Sequence, residues 1–402
     1  MALYTCPYCF TQHEMSDVEF RCLNLNGSCG TEADLILTNY EGGDPNHPLV
    51  RNKVFKPKMS GFKFIARKFM PIEERCPDCK QISAFRICPS CHNQLPPNAH
   101  DNEDMIISIV GSRASGKSHY IGVLIDELQK RVIPELFNGN FMETDKSIRD
   151  HYMKSYYYPL YQLGKPLELT NPNEKQKPLI YETTIQKGKK TQNLTFIFYD
   201  TAGENYEDLM TMSTVNKYIC QSTGIIFLVD PTQVEELRLQ MDDDKLNAAC
   251  NIKWEEIVRS TPDAIIDRVA KLIRQANGKS KGKIDIPVAV AFAKIDAIDN
   301  LFPRGSRVLE PSTLIKNGTM DASEAAQINE EMRSMLANWG EKRVSTVLNN
   351  NFTNVSYFGV SALGQSPKKS ENPNAPRSID RPRPLRVADP FVWILNQIRL
   401  VK

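Results

Sequence analysis

The chain has 402 residues, a formal net charge of +2, 41% hydrophobic and 24% charged residues. That balance suits a soluble globular protein of two or three domains with a sizeable core. The net charge says little about partners, so any basic surface must be found locally, and no uninterrupted apolar run approaches the roughly 20 residues of a membrane span. The start, MALYTCPYCFTQHE, lacks a basic n-region and an apolar h-region, so no signal peptide is expected and a cytoplasmic protein is the reading.

Six of the ten cysteines fall in three C-P-x-C units, Cys6/Cys9, Cys76/Cys79 and Cys88/Cys91, and Cys22 and Cys29 lie between the first two units. In a reducing compartment such pairs read as metal knuckles rather than disulfides. Cys76-x2-Cys79-x8-Cys88-x2-Cys91 reads as a short zinc ribbon, and Cys6-x2-Cys9-x12-Cys22-x6-Cys29 as a second four-ligand set. Cross-pairing of the units, or replacement of a sulfur by His13 or His92, stays open. A zinc ion held by four thiolates has no open position, so both sites would be structural. Cys220 and Cys250 are isolated and read as small apolar residues.

Between the cysteine units, RNKVFKPKMSGFKFIARKF (51–69) carries seven Lys or Arg, four Phe and no acid. It reads either as ribbon strands with phenylalanines in the core, or as a nucleic-acid surface in which cations track phosphates and aromatics stack on bases.

A Pro/Asn stretch, HNQLPPNAHDNED, separates this region (1–100) from a second (101–402) in which apolar runs alternate with helical stretches. That alternation predicts a mainly parallel α/β sheet. MIISIVG (105–111) is a buried strand, followed by a helix with Ile121, Leu124, Ile125 and Leu128 on one face. LIYETTIQ (179–186) and LTFIFYD (194–200) are a strand pair, and GIIFLVD (224–230), IPVAVAF (286–292) and VSYFGV (355–360) are three more strands. Thr261 and Pro262 start a helix with Ile266, Val269 and Ile273 inward. A second runs over 322–339 with Ile328, Met332, Leu336 and Trp339 on one stripe, and PFVWILNQI (390–398) closes the chain.

Chemistry concentrates at the strand ends. GSRASGKS (111–118) satisfies G-x-x-x-x-G-K-[ST] between a strand and a helix, the context that gives the pattern weight. Gly111 and Gly116 would let the loop, Ser115 included, turn its N–H groups onto phosphate oxygens. Lys117 would neutralise the β- and γ-phosphates and Ser118 would ligate Mg²⁺. In DTAG (200–203), Asp200 ends a strand where it can hold the Mg²⁺ shell through water, and Gly203 lets a backbone N–H approach the γ-phosphate.

With AKID (293–296) and SAL (361–363) at two further strand ends, the order of elements resembles the Ras-like, translation-factor-related class of P-loop GTPases over roughly residues 104–400. The resemblance implies a P-loop NTPase three-layer sandwich, GTP or GDP as ligand, and Mg²⁺. It implies that Asp296 accepts from guanine N1 and N2, that Lys294 packs along the base, and that the backbone of Ser361 and Ala362 meets guanine O6. Ala293 departs from the family's Asn or Thr and cannot supply the amide that ties this loop to the phosphate loop. Joined to zinc ribbons, the domain is also similar to bacterial conflict-system GTPases.

For hydrolysis, the Ras-like pattern has Gln where this chain has Glu204, so slow or partner-activated turnover is expected. Arg113 would lie over the phosphates or turn to solvent. Thr170 in LELTNP is the expected switch threonine, ahead of Thr183 and Thr184, which sit in a strand; Thr144 is the other candidate. The Pro-rich stretch 365–386 follows SAL and would lie near the base. The expectation is a GTP-binding switch with the ribbons as adaptor for a protein or nucleic acid. An ATPase with a coincidental Lys-x-Asp and a non-hydrolysing, nucleotide-bound scaffold are the alternatives.

Overall fold

The computed structural model describes residues 3–58, 69–171, 176–187, 190–200, 213–250, 261–279, 281–368 and 377–401. The chain forms two compact units, Met1–Asp104 with Gln192–Thr195, and Met105–Thr191 with Phe196–Lys402.

The first unit is built on its cysteines. In each C-P-x-C turn the residue after the second cysteine donates its N–H back to the first: Phe10 to Cys6 O (2.9 Å), Lys80 to Cys76 O (3.0 Å) and His92 to Cys88 O (2.8 Å). Those three donors take left-handed φ values of 55°, 63° and 55° without being glycine. This turn presents both sulfurs of a unit to one side. Around the sulfurs lies a small core that includes Val18, Phe20, Phe55, Met70 and Leu95.

Among the described residues the sulfurs gather into two quartets, Cys6/Cys9/Cys88/Cys91 and Cys22/Cys29/Cys76/Cys79. This corrects the sequential grouping, which placed Cys76 through Cys91 in one ribbon and Cys6 through Cys29 in another. The pairing is nested instead, first unit with last and second with third. Local spacing could not show it, because strand Glu19–Arg21 pairs with both Val54–Phe55 and Arg86–Ile87 and so folds the ends of the region together. Neither histidine enters a quartet: His13 Nε2 lies 3.5 Å from Cys88 Sγ, and His92 Nδ1 faces Asp34 Oδ1 at 2.7 Å. Asp34 is also held by Arg21 at 2.6 Å.

The donor chemistry fits zinc. Zn–S bonds of about 2.3 Å in a tetrahedron place sulfurs about 3.8 Å apart. The contacts Cys6–Cys91, Cys9–Cys88, Cys22–Cys79 and Cys29–Cys76 are 3.7, 3.8, 3.5 and 3.7 Å.

Of the basic stretch 51–69, residues 51, 52, 54 and 55 lie in strands, and Phe69 at its end is exposed. Phe55 is buried and stacks on Phe20 with centroids 5.9 Å apart. Residues 59–68 lie outside the described residues.

Among the described residues the main sheet has seven strands: β1 (Asn102–Gly111), β2 (Met142–Glu143), β3 (Leu179–Lys187), β4 (Lys190–Phe198), β5 (Gly224–Val229), β6 (Val288–Phe292) and β7 (Val355–Gly359). Their order is β2-β3-β4-β1-β5-β6-β7. β1, β5, β6 and β7 pair in parallel, and β2 joins β3 antiparallel at the edge. β5 and β6 are buried at every position, as a sheet covered on both faces requires.

The longer helices among the described residues include α1 (Lys117–Glu127), α2 (Ser213–Cys220), α3 (Pro262–Ala276), α4 (Ala322–Trp339), α5 (Arg343–Asn351) and α6 (Asp389–Gln397). The expected apolar stripes of α1, α3 and α4 are buried. Asp321 caps α4 by accepting from the N–H of Ser323 and Glu324, and Gly340 ends it at φ 82°. Thr183 and Thr184 lie in β3.

A buried ion network fastens the chain between β7 and α6. Arg386 donates to Asp389 and Glu324, both at 2.8 Å, and to Arg307 O at 2.8 Å. Ser312 donates to the other oxygen of Asp389 at 2.5 Å.

Replacing Arg386 with Met should destabilise the protein by about 3–5 kcal/mol in urea unfolding, because buried Asp389 loses its ion pair and Glu324 is left, among the described residues, with Arg307 alone. Zinc content tests the nested quartets. Cys6→Ser with Cys91→Ser should remove one of two zinc equivalents, whereas Cys6→Ser with Cys22→Ser should remove both. The sequential grouping requires the reverse.

Candidate nucleotide site

The parallel strands β1, β5, β6 and β7 end on one edge, and the loops after them line a single cavity. Its empty space, open mouth included, is ≈ 1180 Å³. That is enough for a ligand of nucleotide size.

β1 runs into the loop 111–118 and then directly into α1. A Cβ on Gly111 would lie 2.7 Å from both Leu228 O and Ser115 Oγ, so only glycine fits where the loop leaves the sheet. Ala114 and Gly116 take φ values of 57° and 92°, which curl the backbone as an anion nest requires. Lys117 is buried and donates to Gly111 O at 2.9 Å and Ser112 O at 2.8 Å. Arg113 is half-buried and lines the cavity.

Ser118 Oγ lies 2.9 Å from Thr170 Oγ1, although the two are far apart in sequence. Thr170 is held there by the segment before it: the Leu167 N–H donates to His119 Nε2 at 3.0 Å. Burial, and then the charge of Lys294, push the His119 pKa down to about 4. The imidazole is therefore neutral at pH 7 and free to accept that bond. Thr144 lies elsewhere, at the β2 end, with its N–H on Ile180 O.

Asp200 is buried beside this pair. Tyr156 donates to its Oδ2 at 3.2 Å. Burial raises the Asp200 pKa, and the neighbouring Ser118 hydroxyl and the charge of Lys117 oppose that rise. Its Oδ1 and Ser115 Oγ are buried without a hydrogen-bond partner among the described residues. Such orphans are costly, about 1–3 kcal/mol each. A phosphate and a hydrated divalent cation would satisfy both, so the residues fit Mg²⁺ and a nucleotide. Gly203 and Glu204 lie outside the described residues.

At the other end, Asp296 is half-buried and Ser361 Oγ donates to its Oδ1 at 2.5 Å. Burial raises the Asp296 pKa, and the Ser361 bond opposes it. The Gly364 N–H also donates to Ser361 Oγ, at 2.9 Å. Ala362 and Leu363 line the same wall. In the following Pro-rich stretch, Ser361 and Leu385 exchange backbone bonds of 3.0 and 2.8 Å, and Gln365 and Arg377 reach the cavity. Residues 369–376 lie outside the described residues.

Lys294, at φ 53°, reaches three segments at once. It donates to Asp230 Oδ2 (2.5 Å), Ala114 O (3.2 Å) and Ala249 O (3.1 Å). Gln233 adds a second tie: its Nε2 donates to Arg113 O at 2.7 Å, and its Oε1 accepts from Ser112 Oγ. The sequence reading missed Asp230, Gln233 and Tyr156. Asp230 carried a signal, since it closes an apolar strand in a sheet whose ligands bind at strand C-termini. Gln233 and Tyr156 carried none.

Gln233→Leu should weaken nucleotide binding about tenfold by calorimetry, the effect of two lost loop contacts of ordinary strength. Unchanged affinity would remove Gln233 from the site.

Residues 105–361 match the double-GTPase 2 family. A Mycolicibacterium smegmatis protein, SaeC, named for a proposed role in ESX-1 scaffolding and assembly, is 26% identical over 97% of this chain and 98% of its own. Among solved structures, the signal recognition particle receptor SRb-GTP/SRX complex from Chaetomium thermophilum is 12% identical, over 65% of this chain and 92% of that one, with TM-score 0.26. The S. cerevisiae Ski7 GTPase-like domain bound to GTP is 14% identical, over 75% and 52%, with TM-score 0.29. With its phosphate loop and base-end Asp296 around one cavity, and Asp200 buried beside Ser118 of that loop, the chain belongs to the double-GTPase 2 family and to the P-loop GTPase class.

Proposed function

We propose that the chain is a Mg²⁺-dependent GTP-binding switch with slow or partner-activated hydrolysis, whose zinc-filled quartets make the first unit an adaptor for a protein partner. The observation that carries it is the corner where Ser118 and Thr170, which line the same cavity as Asp296, meet buried Asp200, one of whose carboxylate oxygens lacks a hydrogen-bond partner among the described residues.

In this reading Ser118 and Asp200 hold Mg²⁺, the latter through water, and Thr170 closes the corner. The metal would neutralise charge on the β- and γ-phosphates. The nest over 111–118 supplies N–H donors to the phosphates, and Lys117 would exchange its two loop carbonyls for phosphate oxygens. Asp296, held by Ser361, accepts from the guanine edge, and a bidentate contact of that kind discriminates by about 1–3 kcal/mol. Glu204 in place of Gln would bring a carboxylate toward an anionic γ-phosphate, which supports slow intrinsic turnover. Arg113 at the cavity wall is placed to add positive charge.

The name of the M. smegmatis relative supports a protein partner engaged in scaffolding or assembly. No helix among the described residues is long and apolar enough to cross a membrane.

Calorimetry with GTP, GDP and ATP, with and without Mg²⁺, tests the reading. Guanine nucleotides should bind selectively, and Asp296→Asn should lose GTP and gain a xanthosine nucleotide. Equal or tighter ATP binding, indifferent to Asp296→Asn, would replace the switch with a P-loop ATPase.

A further inference from the structure

Tyr156 belongs to none of the nucleotide motifs. It comes from the long segment between α1 and β3, where helix Lys146–Tyr152 continues into a wider helical stretch, Met153–Gln162, despite Pro159 inside it. The side chain is buried and donates its hydroxyl to Asp200 Oδ2 at 3.2 Å.

The surroundings fix that ring. A Cβ on Gly122 of α1 would lie 3.1 and 3.2 Å from Tyr156 Cβ and Cδ1, so the helix backbone leaves the tyrosine its space. Tyr152 donates to Gly122 O at 2.9 Å and stacks on Tyr156 with centroids 6.0 Å apart and planes at 17°. His151 closes the other side edge-on at 5.9 Å. With the ring locked, the hydroxyl points at one carboxylate oxygen. The second, Oδ1, is buried beside Ser118 and Thr170 with no hydrogen-bond partner among the described residues.

We infer that Tyr156 is a positioning residue for the metal corner: it holds Asp200 by Oδ2 so that Oδ1 is presented to the water shell of the nucleotide's Mg²⁺. The inference rests on the Mg²⁺-dependent reading given above. A carboxylate at the end of a strand can rotate about its side-chain bonds, and a fixed donor on one oxygen removes that freedom before the metal arrives. The donor comes from a segment outside the nucleotide motifs.

The test follows release of a fluorescent guanine nucleotide from the full chain across a Mg²⁺ titration and in excess EDTA. Tyr156→Phe keeps the ring and its packing, and its unfolding midpoint serves as the fold control. The expected result is a Mg²⁺ midpoint raised about tenfold, as for one lost hydrogen bond to a charged group. Affinity in EDTA should stay within about twofold of the parent protein. In an Asp200→Asn background, the same substitution should add no further shift, which covers the case in which the single variant folds poorly. Coincident Mg²⁺ midpoints would overturn the inference. So would equal losses in Mg²⁺ and EDTA, which mark a purely structural tyrosine. A parent protein whose nucleotide release ignores Mg²⁺ would overturn the metal corner and, with it, this role of Tyr156.

Discussion

The ammonium of Lys294 fixes the geometry around which the second unit is organised. Its partner Asp230 has a side chain only 1% exposed, and such a carboxylate is tolerable only if paired and hydrogen-bonded. Thr232 supplies two further bonds to Asp230, from N–H at 2.9 Å and Oγ1 at 2.7 Å. Satisfying this one buried charge therefore draws together the ends of β5 and β6, and the same ammonium reaches the phosphate loop through Ala114 O. Ala293 offers no side-chain amide for that connection. Lys294 and Gln233 make it instead, which answers how a base loop without its usual first residue stays in register with the phosphate end.

Features set by local chemistry were legible in the sequence. α4 was readable to its ends because Asp321 caps it and Gly340 terminates it. The phosphate loop was readable because its glycines answer a steric demand, as Gly111 shows against Leu228 O. What depends on long-range approach was not. The cysteine units were clear as units, but their partnership depends on strand pairing across the region. The tyrosine segment was hidden by Pro159, a residue that argues against helix. Burial of Tyr152, Tyr156 and Leu160 outweighs that preference.

The segment carrying Thr170 is tethered at both ends of the cavity. At the phosphate end, the Leu167 N–H meets neutral His119, the residue after Ser118. At the base end, the Ile379 N–H donates to Gly164 O at 2.8 Å, from a stretch that also bonds back to Ser361 through Leu385. Gly164 takes φ 59°, and a Cβ there would lie 2.8 Å from Ile379 O. One short run of backbone thus touches both the Ser118 end and the Ser361 end of the cavity without passing through the sheet.

The nested cysteines have a consequence for the order of assembly. Joining Cys29 to Cys76 closes a separation of 47 residues, whereas joining Cys9 to Cys88 from an open chain closes 79. Longer loops lose more chain entropy on closure. Once the inner quartet has closed, however, only the short spans from Cys9 to Cys22 and from Cys79 to Cys88 separate the outer ligands from a fixed point. On loop-closure entropy the inside-outward order is therefore the favoured one. The last cysteine pair to be synthesised completes the quartet that the first pair began.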